Sequence, residues 1–195
     1  MTTPRAIKEF LRFLNVSKGY SPHTLKSYKH YLETFETWAT DNDIDQIEKL
    51  TGEDIEEFQL YLSEAEPPRG RATQNYYLIA VRTLLKYLLG RDVEVLSPDK
   101  ISLSKTPGRQ VNFFEGEEID SIRDAIPPTL IGKRDRAMFS VLYATGLRIS
   151  ELVGLKRNQV STVSGEFSVI GKGGKVRPVF LTDVAKDDLA DYLES

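Results

Sequence analysis

Four apolar stripes at helical spacing fill about the first ninety residues, and they restrict this half of the chain to packed helices. From Ala6 to Asn15 the apolar residues Ile7, Phe10, Leu11 and Leu14 recur three and four apart, as one helical face requires. Ser21 and Pro22 mark the next start. Serine offers an oxygen to an orphan backbone N–H, and proline at the first helical position gives up no hydrogen bond. That helix is expected to reach about Thr40 and to bury Leu25, Tyr28, Leu32, Phe35 and Trp38. Thr51-Gly-Glu-Asp54 reads as a capping box whose acids suit the positive end of the helix dipole. The third helix then carries Ile55, Phe58 and Leu62. After the breaker Pro67-Pro68-Arg69-Gly70, a fourth is expected from about Thr73 to Leu89, with Tyr77, Ala80, Val81, Leu84, Leu85 and Leu88 as its stripe.

The helical period is lost over residues 91–112, where Pro98, Pro107 and Gly108 break a stretch that is polar and basic from Ser102 to Gln110. The expected division is a helical domain over 1–95, a linker over 96–112 and a second domain over 113–195. In the second domain, helices are expected from about Gly116 to Ile126 and from Lys133 to Ala144, then a short one after Arg148. Strands follow near Glu166–Ile170 and Val176–Phe180, and Thr182-Asp183 caps a last amphipathic helix. The fold class is therefore mainly α, with one small antiparallel β-hairpin in an α+β second domain. A lone hairpin is marginal without further sheet or helix cover, so this second domain is expected to be incomplete.

Composition matters here for what it excludes. With no cysteine among 195 residues, disulfides, zinc–thiolate sites and thiol nucleophiles are impossible. Apolar runs are too short for a membrane span, and the N-terminus lacks a signal-peptide core, so a cytoplasmic protein is expected. The net charge of −3 argues at first against a nucleic-acid partner. Between Asp41 and Glu57, however, eight acids stand against one lysine, and the rest of the chain is net basic. DNA affinity depends on a local basic face and not on the sum.

Two short segments carry chemistry. In ATGLRISELVGL, Gly146 can end one helix in the left-handed conformation, and Leu147 and Arg148 begin the next. Ile149, Leu152 and Val153 are expected to face a core, leaving Arg148 and Glu151 together on another face. Such an arginine at a helix start is either a phosphate ligand or half of a surface ion pair. In VIGKGGKVRPVFL, the Gly171–Lys175 stretch is not a nucleotide-binding loop. Five residues, not four, separate Gly165 from Gly171, and Lys172 is followed by glycine where serine or threonine is required. It is either a plain hairpin turn or a flexible tip that delivers Lys172 to a phosphate.

Arg148 and Lys172 lie 24 residues apart, and at that spacing the two segments resemble the arginine box and the β-hairpin lysine box of the tyrosine recombinase family, which includes the phage integrases and the Xer recombinases. SPHTLKSYKHYLETFETWA and ATQNYYLIAVRTLLKYLL are similar to helices of that family's core-binding domain. The resemblance implies an N-terminal four-helix, SAM-like core-binding domain and a catalytic domain that is here truncated. It implies that Arg148 holds the scissile phosphate, that Glu151 orients site side chains, and that Lys172 protonates the leaving 5′ oxygen. No cofactor or metal is implied, since clamped cations and a proton donor suffice for the transfer. The family's His-x-x-Arg box has no counterpart, because the only histidines are His23 and His30. None of the nine tyrosines stands where the nucleophile is expected, Tyr192 included. These 195 residues are therefore expected to bind DNA and not to cut it.

DNA contacts are expected from Lys26, Lys29 and His30 on the second helix and from Arg69, Arg71, Thr73, Arg82 and Lys86 around the fourth. Lysines would neutralise phosphates, while Gln74 and Asn75 would read adenine edges. The resemblance places Lys100, Lys105 and Arg109 across the minor groove. The expected partners are a double-stranded recombination site and further recombinase protomers on it, with a monomer in free solution. Absence of an arm-binding module favours a compact, Xer-like enzyme. Two other classes stay open: a non-enzymatic DNA-binding or regulatory protein on the same fold, and a helical protein that docks a partner through its acidic Asp41–Glu57 face.

Overall fold

The structure is a computed structural model, and it describes residues 1–106, 108, 111–171 and 174–195. The chain divides into two compact units, Met1–Arg109 and Gln110–Ser195.

The first unit is built on four helices: α1 (Thr3–Val16), α2 (Pro22–Asp41), α3 (Gly52–Glu64) and α4 (Arg71–Leu89). The Ser21 hydroxyl accepts the Thr24 N–H at 3.3 Å and starts α2. At α3 the Asp54 N–H donates to Thr51 Oγ1 (3.2 Å) while the Thr51 N–H donates to Asp54 Oδ2 (2.7 Å), so each residue satisfies the other's orphan donor. The stripes converge on one core in which Phe10, Leu14, Leu32, Phe35, Phe58, Leu62, Leu84, Leu85 and Leu88 are almost fully buried. Its centre is aromatic: Phe35 and Phe58 meet edge to face with ring centroids 5.1 Å apart, and Trp38 lies 5.1 Å from Phe58. Helix α4 starts two residues before the expected Thr73, with Gly70 in extended conformation as its N-cap.

Most of the stretch read as a linker belongs to this unit. Val93, Val95 and Leu96 pack on the core, and Ile101 is 1% exposed within it. The Asn75 amide then takes both main-chain groups of Ser104, donating to its carbonyl (2.9 Å) and accepting its N–H (3.0 Å). Isolated apolar residues between prolines carry no period, so the pattern that marks helices could not reveal this strap.

The second unit contains α5 (Gly116–Asp124), α6 (Leu130–Thr145), α7 (Ile149–Val153), the antiparallel pair β1 (Glu166–Ile170) and β2 (Val176–Phe180), and α8 (Asp183–Leu193). Phe167, Val169 and Val179 point from the hairpin into a core completed by Val141, Leu147, Leu181 and Ala185. Helix α5 buries none of its own residues and is tied down by charge: Arg123 Nε lies 3.2 Å from Asp188 Oδ2, an atom that also accepts the Ser140 hydroxyl. Helix α6 begins a turn earlier than Lys133, because Thr129 Oγ1 caps the Gly132 N–H at 3.1 Å. Among the described residues, no helix is long and apolar enough to cross a membrane.

Candidate phosphate site and nucleic-acid interface

Gly146 ends α6 at φ +61°, and its N–H returns to the Leu142 carbonyl at 2.9 Å. This left-handed residue turns the chain so that Leu147 enters the core and Arg148 caps α7. The expected core face of α7 needs correction. Leu152 packs on the core, but Ile149 and Val153 are 60% and 70% exposed. Helix α7 is a turn of five residues, so only a narrow stripe can meet the hairpin, and the apolar residues on either side of it face outwards.

Glu151 organises the charges around it. Its Oε2 accepts the Arg148 main-chain N–H at 2.9 Å, and its Oε1 accepts Arg148 Nη1 at 3.1 Å. A third donor comes from a residue the sequence reading passed over: Arg177 Nη2, on β2, reaches Glu151 Oε2 at 3.0 Å. The carboxylate is therefore held below its usual range, first by the Arg148 N–H and then by the two guanidinium groups, against an opposing push from partial burial. The Glu151 side chain is 9% exposed and that of Arg148 is 67% exposed. Two cations and one anion leave a net positive charge facing solvent, as an anion with the single charge of a phosphodiester requires. A guanidinium does not release its proton near neutrality, so this cluster can clamp and polarise a phosphate but cannot protonate a leaving group. With one short turn behind it, the charge comes from the guanidinium groups and little from a helix dipole.

Lys172 and Arg109 lie outside the described residues. The Gly171 N–H donates to the Lys175 carbonyl at 2.8 Å. Among the described residues, no group of three or more His, Cys, Asp or Glu side chains is disposed to hold a metal ion.

In the first unit the candidate contacts separate into sets. Lys26 and Lys29 border a shallow hollow between α1 and α2 together with Arg12, a cation that sequence reading missed because it lies on α1. His30 and Arg69 converge on Tyr77: His30 Nε2 is 3.0 Å from the phenol oxygen, and the Arg69 guanidinium lies 4.9 Å from the ring centre. Arg71, Thr73, Lys86, Lys100 and Lys105 are exposed. Arg82 pairs loosely with Asp99 of the strap at 3.5 Å. Gln74 and Asn75 correct the expectation of base reading. The Gln74 side chain is buried and donates to the Arg69 carbonyl at 2.7 Å, while both amide groups of Asn75 are engaged by Ser104. Both amides are thus engaged by the protein's own backbone.

Residues 7–92 match the phage integrase N-terminal SAM-like domain and residues 112–195 match the phage integrase family. The chain belongs to the phage integrase family of tyrosine recombinases. It is 33% identical over 191 residues to the tyrosine recombinase XerD of Lacticaseibacillus casei, covering 96% of this chain and 64% of that protein. It is 32% identical over 195 residues to the XerC of Bacillus pumilus, covering 97% and 62%. The Tn1549 transposon integrase, solved in complex with a circular intermediate DNA, shares the fold with a TM-score of 0.79 at 14% identity, over 100% of this chain and 66% of that one. The chain thus spans somewhat less than two thirds of the length of these curated relatives. Within these 195 residues no His-x-x-Arg occurs.

Proposed function

We propose that this chain is the DNA-binding and arginine-box part of a site-specific recombinase that exchanges DNA strands through a covalent phosphotyrosine. The observation that carries this reading is the Glu151-bridged pair of guanidinium groups, set within the family's arginine box and facing solvent. Arg148 holds the non-bridging oxygens of the scissile phosphate and Glu151 fixes its direction. By the family resemblance, Lys172 donates a proton to the leaving 5′ oxygen; a lysine ammonium is far more acidic than an alcohol and can protonate the alkoxide as it departs. The tyrosine nucleophile and the His-x-x-Arg box are supplied from outside these residues, so the chain as given binds duplex DNA without cutting it. No cofactor takes part, and the protein acts in the cytoplasm.

The two units contact the duplex independently at the residue level. Lys26, Lys29, Arg69, Arg71 and Lys86 meet phosphates from the first, and Arg148 meets one from the second. Further protomers assemble on the DNA, while the free chain is a monomer. Fluorescence anisotropy with a labelled duplex, followed by denaturing electrophoresis of the same mixture, tests the reading. Salt-sensitive binding without a covalent protein–DNA product is expected. A covalent product would refute the division of catalytic parts, and absence of binding at low salt would return the acidic Asp41–Glu57 face to consideration.

A further inference from the structure

Arg177 occupies a position that sequence patterning reserves for an apolar side chain. It lies directly across the hairpin from Val169, and residues facing each other in an antiparallel pair project to the same side of the sheet. On that side Phe167, Val169 and Val179 are each no more than 5% exposed. A cation in such a row is costly unless it is paired. Arg177 meets this requirement by running along the end of the buried row to Glu151, which leaves its own side chain 42% exposed. Arg148 and Arg177 thus share one carboxylate, one from the N-cap of α7 and the other from β2.

We infer that Arg177 is a positioning residue: through the Glu151 carboxylate it holds the Arg148 guanidinium in a phosphate-binding orientation and ties α7 to β2. The inference rests on the reading of Arg148 as a phosphate ligand. Helix α7 has five residues and an open side at Ile149 and Val153, so its own packing fixes it weakly. Glu151 would keep its bonds to Arg148 without Arg177, but the pair would lose its anchor on the sheet. Arg148 would then move with the turn that carries it, and a phosphate would have to order it on binding.

The test is an NMR titration of the 195-residue chain, following the Glu151 side-chain carboxyl carbon against pH and the Arg148 Nε–H resonance as inorganic phosphate is added. In R177M the Glu151 midpoint is expected to move up towards the ordinary carboxylate value, the Arg148 signal to lose its distinct shift, and its response to phosphate to weaken. In R177K, which keeps the charge without the fork, the Glu151 midpoint largely recovers while the Arg148 signal stays averaged; this variant also serves if R177M fails to fold. Unchanged Glu151 and Arg148 signals in R177M would overturn the inference. So would unchanged signals combined with a weakened phosphate response, which would make Arg177 a direct ligand. Shifts in R177M as expected, in a wild-type chain that ignores phosphate, would uphold the coupling and refute the phosphate role of Arg148.

Discussion

At the scale of single residues, function in this protein comes down to which polar groups are spoken for. Glu151 has three donors on its two oxygens, whereas Arg148 extends most of its surface into solvent. Replacing Arg148 by alanine removes one phosphate contact. DNA binding should weaken by a similar factor on every sequence, and the slope of log affinity against log salt should fall by about one. The depressed Glu151 pKa gives a pH dependence of definite sign. A carboxylate whose folded pKa lies below its unfolded value stabilises the folded state above the unfolded pKa and loses that contribution as pH falls through the folded one. Acid titration should therefore loosen the α7–β2 tie below the ordinary carboxylate range, with E151Q already loose at neutral pH; the Arg148 and Arg177 Nε–H resonances report it. Arg148, Glu151 and their joint face were legible from spacing alone. The signal for Arg177 is its place in the odd-numbered, inward row with Phe167, Val169 and Val179, where a cation stands among apolar residues. Gln74 and Asn75 were misjudged because an amide's type says what it can bond and not where it is already bonded.

At the scale of elements, close approaches decide what can be changed. Gly132, in the first turn of α6, has a normal backbone but no room: a methyl group there would lie 1.8 Å from the Pro127 carbonyl oxygen. Backbone cannot swing aside as a side chain can, so G132A should lose about 1–3 kcal/mol or more in urea unfolding of the second unit. N75A leaves the Ser104 N–H and carbonyl without partners in a half-buried place and should cost about 1–3 kcal/mol, seen as a lower urea midpoint and faster hydrogen exchange over 97–104. The helices themselves were readable because stripe, cap and breaker agree at each of them, as at Ser21, Thr51 and Gly146. The strap over 93–104 was not, because a few apolar residues in an irregular chain have no period to detect. The early start of α6 rests on a single cap, the Thr129 hydroxyl that accepts the Gly132 N–H.

At the scale of the whole chain, a net charge of −3 coexists with cations gathered on particular faces. Lys26, Lys29 and Arg12 surround one hollow of the first unit, and Arg148 and Arg177 share one carboxylate in the second. Light scattering of the free chain should return a mass close to 22.1 kDa, as expected of a monomer; a stable dimer would count against this. The claim on which the rest depends is that these faces bind duplex DNA through its phosphates. It is tested most directly by the affinity of the wild-type chain and of R148A for one labelled duplex, each measured over a series of salt concentrations. The account predicts binding that falls steeply as salt rises, with a shallower slope by about one contact in R148A. Binding that ignores salt, or an identical slope in the two proteins, would contradict it.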